Sequence, residues 1–262
     1  MASRFRVASA EDKVAAWNKL SLHSSKQIFL YHYLRLAASV ILVIATTFTI
    51  YSFAQIEILS ARGEHKIVKL PDNSSVQLNA ESALSYNRLL WFFDRNVALQ
   101  GEGFFKVKKG SRFTVATAHG NVAVLGTSFN VYTRPDKFNV ACVTGKVKVS
   151  NAKNSVILTP GHYTSSHNKS LSKPDSFNRE ITAWQSGEFY FENARLSEVV
   201  AELERQFDID ILLDAGGERY YTGFFKNNNL EEALKMVCIP MGLQYDIKSA
   251  KKIIITTNKY FN

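Results

Sequence analysis

The side chains of this chain that could do chemistry are six histidines, two cysteines and a few acidic clusters. A zinc centre, or a nucleophile with its base, needs such groups at short and defined spacing. His65, His119, His162 and His167 each stand alone, without metal-ligand spacing and without a nucleophile motif alongside. Cys142 and Cys238 are far apart and form no CxxC pair; one long-range disulfide and two buried free thiols both remain open. Gly101-Glu102-Gly103 lacks the third glycine and the helix of a phosphate-binding loop. The pairs Glu202/Glu204 and Glu231/Glu232 fall in helical stretches and read as solvated faces. These residues predict no enzyme, no metal site and no cofactor, and favour binding over turnover.

The elements that would position a binding surface are easier to read. The chain has 262 residues, 46% hydrophobic and 21% charged, enough for one large or two small folded domains. Its net charge is +9, of which +4 falls in residues 1–35 (Arg4, Arg6, Lys13, Lys19, Lys26 and Arg35 against Glu11 and Asp12). The rest of the excess is spread thinly and reads as solvated surface, with no nucleic-acid groove expected. The densest basic run, KVKKGSR (106–112), reads as an exposed turn between strands without interleaved aromatics.

Residues 36–54, LAASVILVIATTFTIYSFA, carry no charge over nineteen positions. About 20 apolar residues cross a hydrocarbon core, so this stretch predicts a transmembrane helix. Tyr31, Tyr33 and Tyr51 lie near its ends, where amphipathic rings prefer the interface. Ser52-Phe53-Ala54 has the small-x-small form of a signal-peptide processing site, but a 35-residue basic leader favours an uncleaved anchor. The basic leader places residues 1–35 in the cytoplasm as a short tail, and residues 55–262 beyond the membrane.

Between residues 65 and 165, short runs alternate with period two, including Val97/Leu99, Val122/Val124 and Val147/Val149. Turn signals stand at Pro71-Asp72-Asn73, Gly110 and Pro160-Gly161. This predicts an all-β domain over 55–165, a sandwich or a stacked-strand unit. The polar stretch 166–182 contains Pro174-Asp175 and reads as a linker. Over 183–262 the period becomes helical at Leu196, Val199, Val200, Leu203 and again at Leu230, Ala233, Leu234, Val237. Asn229 is the expected N-cap of the second helix, with Glu232 three residues on. An offset of 34 residues aligns Phe191 with Phe225, Leu196 with Leu230 and Ile209 with Leu243. Two strand–helix–strand copies predict a small α+β domain of duplicated βαβ type.

Several longer strings carry a resemblance. LPDNSSVQLNAESALSY (70–86), RNVALQGEGFFKV (95–107), VAVLGTSFNV (122–131), VTGKV (143–147) and LTPG (158–161) resemble the periplasmic domain of FecR-type anti-sigma factors. AWQSGEFYFENARLSEVVAEL (183–203) and TGFFKNNNLEEAL (222–234) resemble the C-terminal domain of the family's Bacteroidetes-type members, which is similar to the short signalling domain of TonB-dependent receptors and secretins. The resemblance implies an inner-membrane, single-pass regulator with its C-terminal domains in the periplasm. It would relay a signal from the periplasmic signalling domain of a TonB-dependent outer-membrane receptor to an extracytoplasmic-function sigma factor. The alternative is an anchored periplasmic module that binds a receptor or glycan without controlling a sigma factor.

The resemblance also implies sites. Family members usually carry a longer cytoplasmic domain, and AWNKL (16–20) resembles its end. Val14, Trp17 and Leu20 form one apolar stripe on a short helix and are the expected sigma-factor contact, although Trp17 at the membrane interface is the alternative. Some family members split at a Gly-Thr bond, which points to Gly126-Thr127 and an N-to-O acyl shift; the simpler reading is a glycine turn followed by an ordinary strand threonine. For the receptor, Ile253, Ile254 and Ile255 in KKIIITTN (251–258) are the candidates. They form either an open sheet edge that accepts a partner strand or a central strand buried on both faces.

Overall fold

The computed structural model describes residues 9–135, 137–167, 170–177 and 179–257, and divides into two units, residues 1–54 and 55–262. Among the described residues the first unit is one helix, α1 (Ala10–Phe53). Ser9 starts it with a reciprocal cap: the Asp12 amide donates to Ser9 Oγ at 3.2 Å, and the Ser9 amide donates to Asp12 Oδ2 at 3.2 Å. Its segment Tyr31–Phe53 is long and apolar enough to cross a membrane, and starts five residues earlier than the uncharged run. Several hydroxyls within it bond back to the helix. Ser39 donates to the Leu36 carbonyl, Thr47 to Val43 and Thr49 to Ala45, each at 2.7 Å, so no side-chain hydroxyl of these three needs water.

The second unit opens with fourteen strands: β1 (Gln55–Ser60), β2 (Lys66–Lys69), β3 (Ser75–Leu78), β4 (Ser82–Asn87), β5 (Arg95–Lys106), β6 (Phe113–Thr117), β7 (Gly120–Val124), β8 (Ser128–Arg134), β9 (Lys137–Thr144), β10 (Val147–Ser150), β11 (Ser155–Leu158), β12 (His162–His167), β13 (Ser170–Leu171) and β14 (Asp175–Ser176). They form two sheets that share the long β5. Its first half pairs with β4 and, in parallel, with β6; its second half pairs with β3 and β8. The changeover is at Gly101, at φ +93°, where an added Cβ would lie 2.8 Å from the Glu81 carbonyl oxygen and collide with Ser82 Oγ. Only glycine lets the strand pass there. The period-two apolar residues of both sheets close one core, with Val76, Leu84, Phe105, Phe113, Phe129 and Val140 among its members.

Within the predicted linker 166–182, several of the described residues are paired or helical. β13 and β14 pair with opposite ends of β12, and Arg179–Ser186 is a 3-10 segment that buries Trp184. Its polar composition is met by sheet pairing and by side-chain bonds such as Thr164 Oγ1 to the Ser172 carbonyl at 2.9 Å.

The remaining elements are β15 (Glu188–Arg195), α2 (Leu196–Phe207), β16 (Asp210–Asp214), β17 (Tyr220–Lys226), α3 (Leu230–Cys238), β18 (Leu243–Ser249) and β19 (Lys252–Thr257). Asn229 caps α3, its Oδ1 accepting from the Glu232 amide at 3.1 Å. Strand–helix–strand occurs twice in order, yet the two strands of each copy lie in different sheets. β15 pairs with its counterpart β17, while β16 and β18 flank β19 on either side. Both helices bury their apolar stripes, through Val199, Leu203, Leu234 and Val237, in a second core. Phe104 of β5 and Trp184 enter that same core, so the β domain and the α+β domain are packed together. Cys142 and Cys238 are both buried free thiols, one in each core, and burial pushes each up to about 11.

Candidate functional site

The residues with unusual environments collect where the two domains meet. Glu102, one residue past the Gly101 changeover, is buried in β5. Both of its oxygens accept from amides held by the surrounding fold: Asn79 Nδ2 at 2.7 Å and Asn130 Nδ2 at 2.8 Å. Neither amide is free to turn over. Asn130 Oδ1 accepts from Trp184 Nε1 at 3.1 Å, and Asn79 Oδ1 accepts from the Ala80 amide at 2.8 Å and from Gln206 Nε2 at 2.9 Å. The carboxyl therefore faces neutral donors, and burial pushes it up to about 7, helped by the negative charge of Glu202 and opposed by the two asparagines and Arg134.

From Gln206 the chain of bonds continues into the second domain. Its Nε2 also donates to Glu202 Oε1 at 2.8 Å, and its Oε1 meets His65 Nε2 at 2.9 Å and Asn227 Nδ2 at 3.2 Å. Arg205 closes on Glu202 through Nη2 at 2.6 Å. The His65 ring stands edge-on to Trp184, 5.7 Å between centroids. Glu202 was expected on a solvated face; it is buried instead, because this network sits on the inner side of α2. A cavity of about 170 Å³ adjoins the junction, bounded by Glu102, Tyr132, Trp184, Phe189, Glu202 and Arg205.

A second contact clamps the end of α2. Arg62, in the β1–β2 connection, donates Nε to the Glu204 carbonyl at 3.2 Å, Nη1 to Asp210 at 2.9 Å and Nη2 to the Ile209 carbonyl. The Gly63 amide donates to the Arg205 carbonyl at 2.7 Å. A guanidinium at a helix C-terminus meets the negative end of its dipole, and the Gly63 amide satisfies the Arg205 carbonyl, one that the helix leaves open. None of these groups is arranged as nucleophile and base. What the arrangement can do is tie the position of α2 to β5 and β8 of the other domain.

The sequence-derived candidates fall elsewhere. Val14 and Trp17 are exposed on α1, Trp17 at 76%, while the Leu20 side chain lies outside the described residues. Ile253, Ile254 and Ile255 are on the central strand of their sheet, with Ile253 and Ile255 buried. They are not an open edge: β16 takes one side of β19 in parallel and β18 the other, which leaves no row of free backbone groups. Gly126 is required by close approach, since a Cβ there would lie 2.7 Å from Lys109 Cα. Thr127 is buried and its Oγ1 has no hydrogen-bond partner among the described residues. The adjacent cavity of about 390 Å³ is lined by the cations Arg112, Lys146 and Lys148 and by no carboxylate or histidine. Asn79, Glu102, Asn130 and Gln206 were not singled out from sequence. The one available signal was an acid between two glycines inside an apolar strand.

Two family models match the chain, FecR protein over residues 56–148 and FecR, C-terminal over residues 188–255. No curated protein matches it significantly. Among solved structures it is similar to a protein of Parabacteroides distasonis ATCC 8503 assigned to the anti-sigma factors, in crystal structures at 2.50 Å and 1.65 Å. Identity is 31% in both; TM-scores are 0.72 and 0.71, covering 78% and 77% of this chain and 99% of the other. The two matched domains are the ones that the Glu102 network joins, and the chain belongs to the FecR family of anti-sigma factors.

Proposed function

We propose that the chain is a single-pass inner-membrane regulator that carries a signal from the periplasmic signalling domain of a TonB-dependent receptor to an extracytoplasmic-function sigma factor. The observation that carries this reading is the buried hydrogen-bond chain from Gln206 to Glu102 and Asn130. A partner that displaces α2 must break or rebuild bonds in the FecR domain, because buried polar groups cannot be left unpaired cheaply. In this reading the receptor docks on 188–255 at an edge left open. β18 qualifies, since it pairs on one side only and carries the exposed Ile247. The +4 leader holds the N-terminus in the cytoplasm, where Val14 and Trp17 on the exposed face of α1 bind the sigma factor.

Two measurements test this. Alkaline phosphatase fused after Asn262 is active, and β-lactamase fused at residue 30 does not protect intact cells; the reverse pattern overturns the orientation. Trp17→Ala lowers co-purification of an extracytoplasmic-function sigma factor co-expressed with the chain. Unchanged recovery removes Trp17 from the contact.

A further inference from the structure

We propose that one end of the β domain is a lipid-docking surface, an apolar tip with a basic collar that seats on the anionic face of the bilayer. The inference rests on the reading above that Tyr31–Phe53 crosses the membrane. The tip is Leu89–Phe93, between β4 and β5. Phe92 and Phe93 are 89% and 90% exposed, with Leu89 and Leu90 exposed beside them. Four large apolar side chains in one contiguous protrusion are unusual on a surface that meets only water.

The tip is held in shape and is not a loose loop. Asn87 Oδ1 accepts from the Leu89 and Leu90 amides at 3.0 and 3.1 Å, and the Phe93 amide donates to the Leu90 carbonyl at 2.9 Å. Trp91 points the other way, into the core, edge-on to Tyr86 at 5.3 Å and to Phe113 at 6.0 Å. Burying the middle aromatic fixes the other four side chains outward.

Strand register places this tip beside Gln55, where the second unit begins. Gln55 pairs with Asn87, and Gln55 is two residues beyond Phe53, a reach of about 7 Å of chain. The same end of the sheet can be followed strand by strand. Arg95 pairs with Phe113 and Phe113 with Val124, while the Gly110 amide donates to the Leu125 carbonyl at 2.9 Å. This row brings Arg88, Lys108, Lys109, Arg112 and Lys146 to the end that carries the tip, together with the exposed Leu125. Of the acids there, Asp72 is paired with Arg95 at 2.7 Å, and Asp94 accepts from the neutral Asn96 amide and keeps its charge, one acid against five cations. The collar is therefore strongly positive. Aromatic and leucine side chains backed by basic residues are the chemistry of a bilayer interface with anionic headgroups. A tether of two residues keeps that surface within reach of the tip.

The test uses the full chain in nanodiscs containing anionic lipid, with a polarity-sensitive fluorophore on Phe92→Cys, Ala118→Cys or Ile44→Cys. The native cysteines are buried and stay unlabelled. Ala118 is exposed at the opposite end of β6, about 15 Å away. The Phe92 label should be blue-shifted on the bilayer and quenched by headgroup spin-labelled lipid, with the Ala118 label unaffected. Replacing anionic by zwitterionic lipid should weaken the Phe92 signal, each basic residue being worth about five-fold in partitioning. Acyl-chain-brominated lipid should quench the Ile44 label. Equal signals at positions 92 and 118 with Ile44 quenched overturn the docking surface and leave the anchor standing. An unquenched Ile44 label overturns the anchor, and the docking surface with it. A Phe92 label that ignores lipid but shifts on adding a receptor signalling domain assigns the tip to protein and overturns the proposal.

Discussion

Glu102→Gln isolates the central carboxyl of the junction. Moving a carboxyl from 4.5 to about 7 corresponds to about 3 kcal/mol at ~1.4 kcal/mol per pH unit, and Glu102 is buried enough that no solvent discount applies. The sign follows from proton uptake. Between those two values the folded chain holds a proton that the unfolded chain has released, so stability falls as pH rises through the window. It is greatest below 4.5 and is lost by pH 8. Glutamine cannot ionise, so the variant should lack this slope. It should also pay about 1–3 kcal/mol at every pH, because its amide nitrogen must face Asn79 or Asn130, whose orientations are fixed by Ala80, Gln206 and Trp184. Urea unfolding of residues 55–262 from pH 5 to 8, followed by the fluorescence of buried tryptophans such as Trp184, reads both effects. Exposed acids held down by lysine partners, such as Asp208 beside Lys251 and Glu231 beside Lys235, are shared by the two proteins and cancel in the difference. Parallel pH profiles for wild type and variant would refute the reasoning.

Three further outcomes are expected. Arg62→Ala leaves the Glu204 and Ile209 carbonyls without their guanidinium and should cost about 1–3 kcal/mol, with faster hydrogen exchange at the end of α2; unchanged exchange there removes the clamp. Ile254→Pro removes a ladder donor from the central strand and should unfold 188–255 by circular dichroism, costing about 3 kcal/mol or more; a folded variant would place β19 at an edge. For Gly126-Thr127, with no base lining the adjacent cavity, mass spectrometry of the purified chain should find it intact. A fragment beginning at Thr127 and lost in Thr127→Ala would establish the acyl shift.

What was legible in the sequence is what local spacing determines. The uncharged run before Ala54, the alternating strands and the two apolar stripes of α2 and α3 all depend on neighbours within a turn or two. Asn229 is the same kind of case, a cap read three residues ahead. The junction depends on partners far away in the chain: Asn79 and Gln206 are 127 residues apart, and Trp184 and Asn130 are 54. No periodicity reports that Glu202 faces inward, because glutamate on a helix next to arginine looks the same on either face. The isoleucines 253–255 had two readings for a related reason, since edge and centre differ only in whether β16 returns alongside. The predicted linker 166–182 reads as polar spacer because strands such as Ser170–Leu171 and Asp175–Ser176 find their pairing on β12, away from their own neighbours.

The central claim is that docking on 188–255 reaches the FecR domain through the Glu102 junction. Hydrogen exchange read by mass spectrometry, on residues 55–262 with and without the periplasmic signalling domain of a TonB-dependent receptor, tests it most directly. The account predicts protection changes at the docking edge and also in the segments of β5 and β8 that hold Glu102 and Asn130. Changes confined to 188–255, with β5 and β8 unaltered, would contradict it.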